Sequence, residues 1–316
     1  RHHRRTAPGQ PAVVQLSCGG IALSGAGNRS LVRNTPCGWA GPAPPSPLSA
    51  AIMVHPTAII SAEAEIDPSV EVGAYVIIEG PVKIGAGCKL APHCQIVGDT
   101  VIGEGTSIGR GAVIGETPQD LGFTSAISSG VRIGRNNIIR EHVTIHRGSK
   151  DGGMTVVGDN NFLMVGSHLG HDVKMGDRNI LANAVLVAGH VHIGNGTFAG
   201  GGAVFHQFIR IGDFCVVQGN GSFSRDIPHY CAALRVNRLN GLNVVGLRRQ
   251  GFSAEDRSGI KELFNLVFRS GLNLTQALAA AREKTWSEHA ARLLTFLEAP
   301  SKKGVCTPAQ RHEEDE

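Results

Sequence analysis

The hydrophobic positions of this 316-residue chain keep a beat of six. Val54, Ile60, Ile66, Val72, Ile78, Ile84, Leu90, Ile96, Ile102, Ile108 and Ile114 follow one another at that interval. One residue out of step, the beat resumes at Ile127, Ile133, Ile139 and Ile145. It skips Asp151 and runs on through Val157, Leu163, Leu169, Met175, Leu181, Val187, Ile193, Ala199, Phe205, Ile211, Val217 and Phe223. A helix repeats about every 3.6 residues and a two-sided strand every two, so neither accounts for a sustained period of six. A solenoid does: each short flat strand turns one aliphatic side chain into a narrow column before the chain bends.

Glycine often follows the inward residue, as at Gly73, Gly85, Gly103, Gly109, Gly134 and Gly158. The expectation is a sharp corner that needs glycine's backbone freedom. Four residues after the inward position the side chain is small or branched, as at Ala64, Val70, Val76, Cys88, Cys94, Thr100, Thr106 and Ala112. Three hexads make a triangular coil of 18 residues, with coils rising about 4.8 Å each. The pattern resembles the hexapeptide-repeat left-handed parallel β-helix, an all-β fold, and the handedness is taken from that resemblance. Aromatics make up 5% of the chain, which suits a thin aliphatic column. No run of about 18 apolar residues suggests a membrane span.

Residues 1–52 do not join the beat. They are rich in Pro, Gly and Ser, and no acid precedes Glu63. Three readings stand: translated upstream sequence with Met53 as the start, a basic organellar transit peptide, or a poor secretory signal. Disorder is expected in each case. The net charge of +4 is a property of this segment: without the five arginines of residues 1–62, 25 basic residues face 26 acidic ones. The balance therefore does not argue for nucleic acid. The seven cysteines contain no CxxC, and their scatter suits a reducing compartment. From about Asn243 the pattern turns helical. Ser253 to Asp256 opens a helix as a near capping box, Ile260, Leu263, Phe264, Val267 and Phe268 form an apolar stripe, and Gly271 ends it. Leu274 to Ala281 and His289 to Leu297 predict two more helices. The expected organisation is a β-helix over 53–242, a C-terminal α-helical domain over 243–299 that caps the coil edge, and a frayed polar tail over 300–316.

The histidines point to chemistry. Leu169, Val187 and Phe205 lie one coil apart, so His168, His171, His190 and His206 are expected along one edge. Such clustering suits a metal site. However, only Asp172 completes a tight set, and alternating side-chain directions need not converge, so no metal is expected. The other reading is a general base with hydrogen-bonding neighbours, for which His171-Asp172 is the best pair.

In their order and spacing, the stretches VHPTAII, IGETPQDL, IREHVTIHRGS, HLGHD, NILANAVLVAGHV, FHQF and NVVGLRRQGF resemble the UDP-N-acetylglucosamine O-acyltransferases of lipid A biosynthesis across about residues 54–270. The resemblance implies transfer of a (3-hydroxy)acyl chain from acyl carrier protein to the glucosamine 3-hydroxyl, with His171 as base, Asp172 as its orienting carboxylate and the Gly189 N–H as oxyanion donor. No cofactor is implied, since the acyl donor is the carrier's phosphopantetheine thioester. By the same resemblance Asp120 holds the glucosamine, His168 and His190 line the sugar side, His206 binds substrate beside them, and Gln207, Asn243 and Arg249 serve the nucleotide. Gly219 matches the position that measures the acyl chain. Gly122, Val245 and Gln250 stand where the family often has charged residues. The resemblance also implies a cytoplasmic homotrimer with sites between protomers, or an organellar one if residues 1–52 are a transit peptide. Rival readings are a UDP-sugar N-acyltransferase and a γ-carbonic-anhydrase-like zinc protein.

Overall fold

The computed structural model describes residues 54–308, so the expectations for residues 1–52 lie outside the described residues. Short strands wind into a prism with three flat faces, in sheets of nine, eight and eleven strands that are parallel except where Cys231–Leu234 and Arg238–Leu242 pair antiparallel. The register is the expected one: Ile59 pairs with Ile77, Leu169 with Val187, and Val187 with Phe205, each 18 positions on. On the nine-stranded face Ile78, Ile96, Ile114, Ile145, Leu169, Val187, Phe205 and Phe223 stack inward, all nearly inaccessible. Each such side chain contributes roughly 2 kcal/mol by burial. The fold is a left-handed parallel β-helix followed by a helical domain.

The chain departs from 18-residue coils in two excursions, and again at the end of the prism, where Val217 pairs with Ala233 only 16 positions on. Ile114 pairs with Ile145, 31 positions on, because residues 117–129 leave the prism as a loop. Ile127, expected as an inward residue, lies in that loop and only half-buried. Ile145 pairs with Leu169, 24 positions on, which places the skipped Asp151 in a second, shorter excursion.

The role expected for the glycines is corrected. Gly115, which follows the inward Ile114, takes φ 85 as expected, but Gly73, Gly85, Gly103, Gly109, Gly134 and Gly158 have no positive φ. Their need is closeness: a Cβ at Gly109 would lie 2.5 Å from the Arg140 carbonyl carbon, and one at Gly103 2.6 Å from that of Gly134. The left-handed corner comes three residues after the inward position, at Tyr75 (φ 57), Asp172 (φ 60) and His190 (φ 58), for example. The small +4 positions hold Cys88, Cys94, Thr100 and Thr106 fully buried. Further along, the interior corner that holds Cys88 and Thr106 becomes an amide ladder. Asn137 Oδ1 accepts the Asn161 N–H at 2.8 Å, Asn161 Oδ1 the Asn179 N–H at 2.8 Å, and Asn179 Oδ1 the Thr197 N–H at 2.9 Å.

The helical domain comprises α1 (Val244–Arg249), α2 (Ala254–Arg269), α3 (Leu274–Arg282) and α4 (Glu288–Glu298). Ser253 and Asp256 form a full capping box on α2, as expected. Ile260, Leu263, Val267, Ala277, Ala281, Ala290 and Leu293 form the domain's core with Tyr230. The tail is corrected as well. Residues 300–308 fold back rather than fray: Thr307–Pro308 adds a parallel strand beside Arg238–Leu242, and Cys306 is fully buried, while residues 309–316 lie outside the described residues.

Candidate active site

A cleft of about 320 Å³ opens on the nine-stranded face. His168, Gly170, His171, Gly189 and Gln207 line it, as do Gln119 and His146, neither of which the sequence singled out. The six-residue beat places His171, Gly189 and Gln207 two positions after the stacked Leu169, Val187 and Phe205, so three successive coils present them in a column.

His171 is buried, and its Nδ1 lies 3.0 Å from Asp172 Oδ2. The same carboxylate oxygen accepts the Ser149 Oγ–H at 2.7 Å and the Ser149 N–H at 3.0 Å. Burial opposes ionisation of Asp172, but the hydrogen bonds from Ser149 and His171 outweigh it and hold the carboxyl below its ordinary range. An ionised Asp172 fixes the proton of His171 on Nδ1. That leaves the Nε2 lone pair free to accept a proton in the cleft. The ring leans against the next coil: a Cβ at Gly189 would meet His171 Cε1 and Nε2 at 2.5 Å.

The Gly189 N–H donates to no protein group among the described residues. Gly170 keeps it open, because a Cβ there would stand 2.8 Å from the Gly189 nitrogen. A base and an unpaired amide therefore share one wall of the cleft. His190 packs edge-on to His171 with centroids 5.0 Å apart and stacks on Phe208 at 4.7 Å. Burial lowers its basicity against the opposing charge of Asp172. His168 Nδ1 meets Thr144 Oγ1 at 2.7 Å, and burial, with His146 and His171 nearby, pushes its pKa down to about 4. His146 is held at 2.6 Å by the Thr117 carbonyl, and burial lowers its basicity too.

His171, Asp172 and His190 offer ligand atoms within 4.8 Å of one another. Asp172 Oδ2, the oxygen that faces both rings, is already bound by Ser149 and His171, so hydrogen bonding accounts for the cluster without a metal.

Other expected site residues lie elsewhere in the chain. His206 follows the inward Phe205, is exposed and does not line the cleft. Asp120 is exposed on the 117–129 loop, where Oδ1 accepts the Gly122 N–H at 2.9 Å; its neighbour Gln119 reaches the cleft instead. Asn243 and Arg249 line a second cleft of about 680 Å³ on the eleven-stranded face, with Arg178 and Phe198. The Asn243 side chain is engaged there in capping α1, accepting from the Gly246 N–H at 3.0 Å and donating to the Phe214 carbonyl at 2.9 Å. Gly219 lines neither cleft. A Cβ there would stand 2.9 Å from the Gly201 carbonyl oxygen, so close packing between coils already requires the glycine.

Comparison with known proteins agrees with this arrangement. A family model described as UDP N-acetylglucosamine O-acyltransferase, domain 2, matches residues 226–306, and one for six bacterial transferase hexapeptides matches residues 81–116. The acyl-[acyl-carrier-protein]--UDP-N-acetylglucosamine O-acyltransferase of Thermodesulfovibrio yellowstonii is 43% identical over 256 residues, which are 80% of this chain and 98% of that one. The chain belongs to the UDP-N-acetylglucosamine O-acyltransferase family. The solved structure of LpxA from Acinetobacter baumannii superposes with a TM-score of 0.76 at 40% identity, covering 80% of this chain and 99% of that one. The Francisella novicida UDP-N-acetylglucosamine acyltransferase gives 0.77 at 34%, covering 80% and 93%. No helix of this acyltransferase among the described residues is long and apolar enough to cross a membrane.

Proposed function

We propose that this acyltransferase moves an acyl chain from acyl carrier protein to the 3-hydroxyl of UDP-N-acetylglucosamine, the opening step of lipid A biosynthesis, with His171 as general base. The observation that carries the reading is the pairing of a carboxylate-oriented imidazole with an unpartnered N–H on the next coil. His171 Nε2 takes the proton of the sugar hydroxyl as its oxygen attacks the thioester carbonyl carbon. The carbonyl oxygen becomes an oxyanion and is met by the Gly189 N–H. Collapse forms the ester and breaks the carbon–sulfur bond, and the departing thiolate of the phosphopantetheine arm takes the proton back from His171. The step balances without a cofactor, a metal or an acyl-enzyme. His168, depressed to about 4, stays neutral at physiological pH and serves as a hydrogen-bonding wall of the sugar pocket.

The same reading makes the protein a homotrimer. Between Ile138 and Val216 the outward positions of the eleven-stranded face are apolar (Ile138, Phe162, Ile180, Phe198, Val216), after the polar Glu71, Lys89 and Ser107, and the nine-stranded face carries the exposed Leu186 and the half-buried Val204. The eight-stranded face instead carries Arg132, Lys174, His192 and Arg210. Two unlike apolar faces that meet head-to-tail close into a ring, and a triangular prism suits three copies. The cleft holding Arg249 on one copy then faces the cleft holding His171 on the next, which completes the nucleotide side from a neighbour.

The test is incubation with UDP-N-acetylglucosamine and a panel of acyl carrier protein thioesters, read by mass spectrometry. One O-acylated product is expected, and none from His171→Ala. Mixing inactive His171→Ala and Arg249→Ala subunits is expected to restore part of the activity, because a mixed trimer contains intact sites. Equal product from His171→Ala removes the base. Stoichiometric zinc in active protein, lost together with activity on chelation, favours the carbonic-anhydrase-like reading instead.

A further inference from the structure

The carboxylate behind the base is held by a segment outside the regular repeat. Between Ile145 and Leu169 the chain makes its second excursion, and Ser149 lies in it, buried although the neighbouring Lys150 and Asp151 are exposed. Both donors of Ser149, Oγ–H and N–H, converge on Asp172 Oδ2, the oxygen that also binds His171. Where the excursion rejoins the prism, the fully buried Thr155 accepts the Asp172 N–H on Oγ1 at 2.9 Å, pinning a residue that sits at φ 60. Gly153, between them, lets the backbone close over the site: a Cβ there would lie 3.0 Å from Asp172 Oδ1. One hydroxyl fixes the carboxylate and the other fixes its backbone.

We infer that the excursion over residues 147–153 is a clamp for the His171–Asp172 pair, and that Ser149 is a positioning residue that sets the carboxylate on which the base depends. The inference rests on His171 being the base. Ser149 touches neither the sugar nor the thioester. Its effect passes through Asp172, whose other facing groups are His171 and His190. Losing the hydroxyl leaves a half-buried carboxylate with one strong donor fewer and free to turn, so the imidazole loses its fixed orientation. A hydrogen bond to a charged group is worth about a 10- to 100-fold factor.

The experiment is a double-mutant cycle on the full-length protein. Ser149→Ala is expected to lower kcat at least about tenfold with KM for UDP-N-acetylglucosamine within about twofold of wild type. Ser149→Thr, which keeps the hydroxyl, is expected to restore most of the loss. In an Asp172→Asn background, Ser149→Ala is expected to change kcat less than about twofold, since the charge it serves is gone. An undiminished loss in that background, or a loss confined to KM, overturns the inference, as does full kcat in Ser149→Ala. If Ser149→Ala folds poorly, the comparison between Ser149→Thr and Ser149→Cys carries the test. The same kcat from both means that the oxygen donor does not matter. If His171→Ala is inactive while Ser149→Ala is not, the proposed base stands and the clamp alone falls.

Discussion

Two edges of one prism use the same backbone position in opposite ways. On the edge that follows the eight-stranded face, the residues two after the inward position are Arg135, Asp159, Asp177, Asn195 and Asp213. Each of their N–H groups is capped from the next coil. Asp159 accepts from Arg135 at 2.7 Å, Asp177 from Asp159 at 2.8 Å, Asn195 from Asp177 at 2.8 Å, Asp213 from Asn195 at 2.8 Å, and His229 Nδ1 from Asp213 at 2.7 Å. On the edge that follows the nine-stranded face, the equivalent positions hold His171, Gly189 and Gln207, and the Gly189 N–H is left without a partner among the described residues. The coil geometry generates an outward N–H at every lap. Where a short Asp or Asn sits above it, the donor is consumed and the corner is stapled. Where a longer Gln sits above it, the donor stays available to a developing oxyanion. A catalytic donor thus arises here by omitting a structural cap.

The comparison breaks most severely at Gly189. Alanine there keeps the N–H but drives a methyl group into the His171 ring, 2.5 Å from Cε1 and Nε2. Gly189→Ala is expected to lower kcat by about a thousandfold, on the scale of removing a catalytic base or an oxyanion donor. A kcat within tenfold of wild type in the carrier-protein assay means that the ring is not held where the base must be. A gentler variant converts one edge into the other. Gln207→Asn places a short amide one coil above Gly189, in the register that Asn195 holds over Asp177. The new oxygen is expected to cap the Gly189 N–H and lower kcat about tenfold or more, with thermal stability equal to or above wild type. Unchanged kcat with raised stability separates the open amide from catalysis.

What the sequence made legible follows from periodicity. The inward column, the stacking of Leu169, Val187 and Phe205 and the capping box at Ser253 are local or strictly repeating, so spacing alone carried them. The pairing of His171 with Asp172 was legible for the same reason, being adjacent in the chain. What escaped lies where the repeat is interrupted. Ser149 reaches Asp172 across 23 positions from inside an excursion, Gln119 meets the cleft from a loop with no period to read, and His146, although on a regular strand after Ile145, is turned toward the cleft by the Thr117 carbonyl at the root of that loop. The glycines' positions are legible but their reason is not: spacing cannot distinguish a corner from a close approach, whereas the Cβ contacts at Gly103 and Gly109 can. Asn243, which the resemblance assigns to the nucleotide, lines the second cleft while its amide caps α1, a local use that the motif does not announce. The fold-back after Pro300 depends on Cys306 finding a buried slot beside Arg225 and Asn237, about 70 to 80 positions earlier in the chain, a contact that no local pattern announces.

On the stapled edge the expected loss is one of stability alone. Asp177→Ala removes the acceptor of the Asp159 N–H and leaves that donor without its partner between two coils. The cost is expected to be about 1–2 kcal/mol, seen as a lower denaturant midpoint with an unaltered m-value. Because Asp177 is on the opposite side of the eight-stranded face from the cleft, kcat is expected to stay within about twofold of wild type. A fall in kcat that matches the fall at Gln207→Asn means that the two edges are not independent.

The smallest expected effect sharpens the comparison through acid. His168 is a wall of the cleft whose pKa is pushed from 6.5 to about 4 by burial, with His146 and His171 adding repulsion. The unfolded chain therefore takes up a proton near pH 6.5 that the folded protein refuses until about pH 4, so this group removes stability as the pH falls through that interval. Asp172 acts in a separate window. Its carboxyl lies below 3.8 in the folded protein, so the stability it contributes is intact at pH 5 and is lost only at lower pH. Between pH 7 and pH 5 the wild type is expected to lose about 1 kcal/mol more stability than His168→Gln, a figure discounted for the ring's partial contact with solvent. His146 and His190 are depressed in the same direction, but both variants retain them, so their share cancels in the difference. Parallel curves for wild type and His168→Gln mean that this ring is not held neutral, and the acid sensitivity of the open edge must then come from its other histidines.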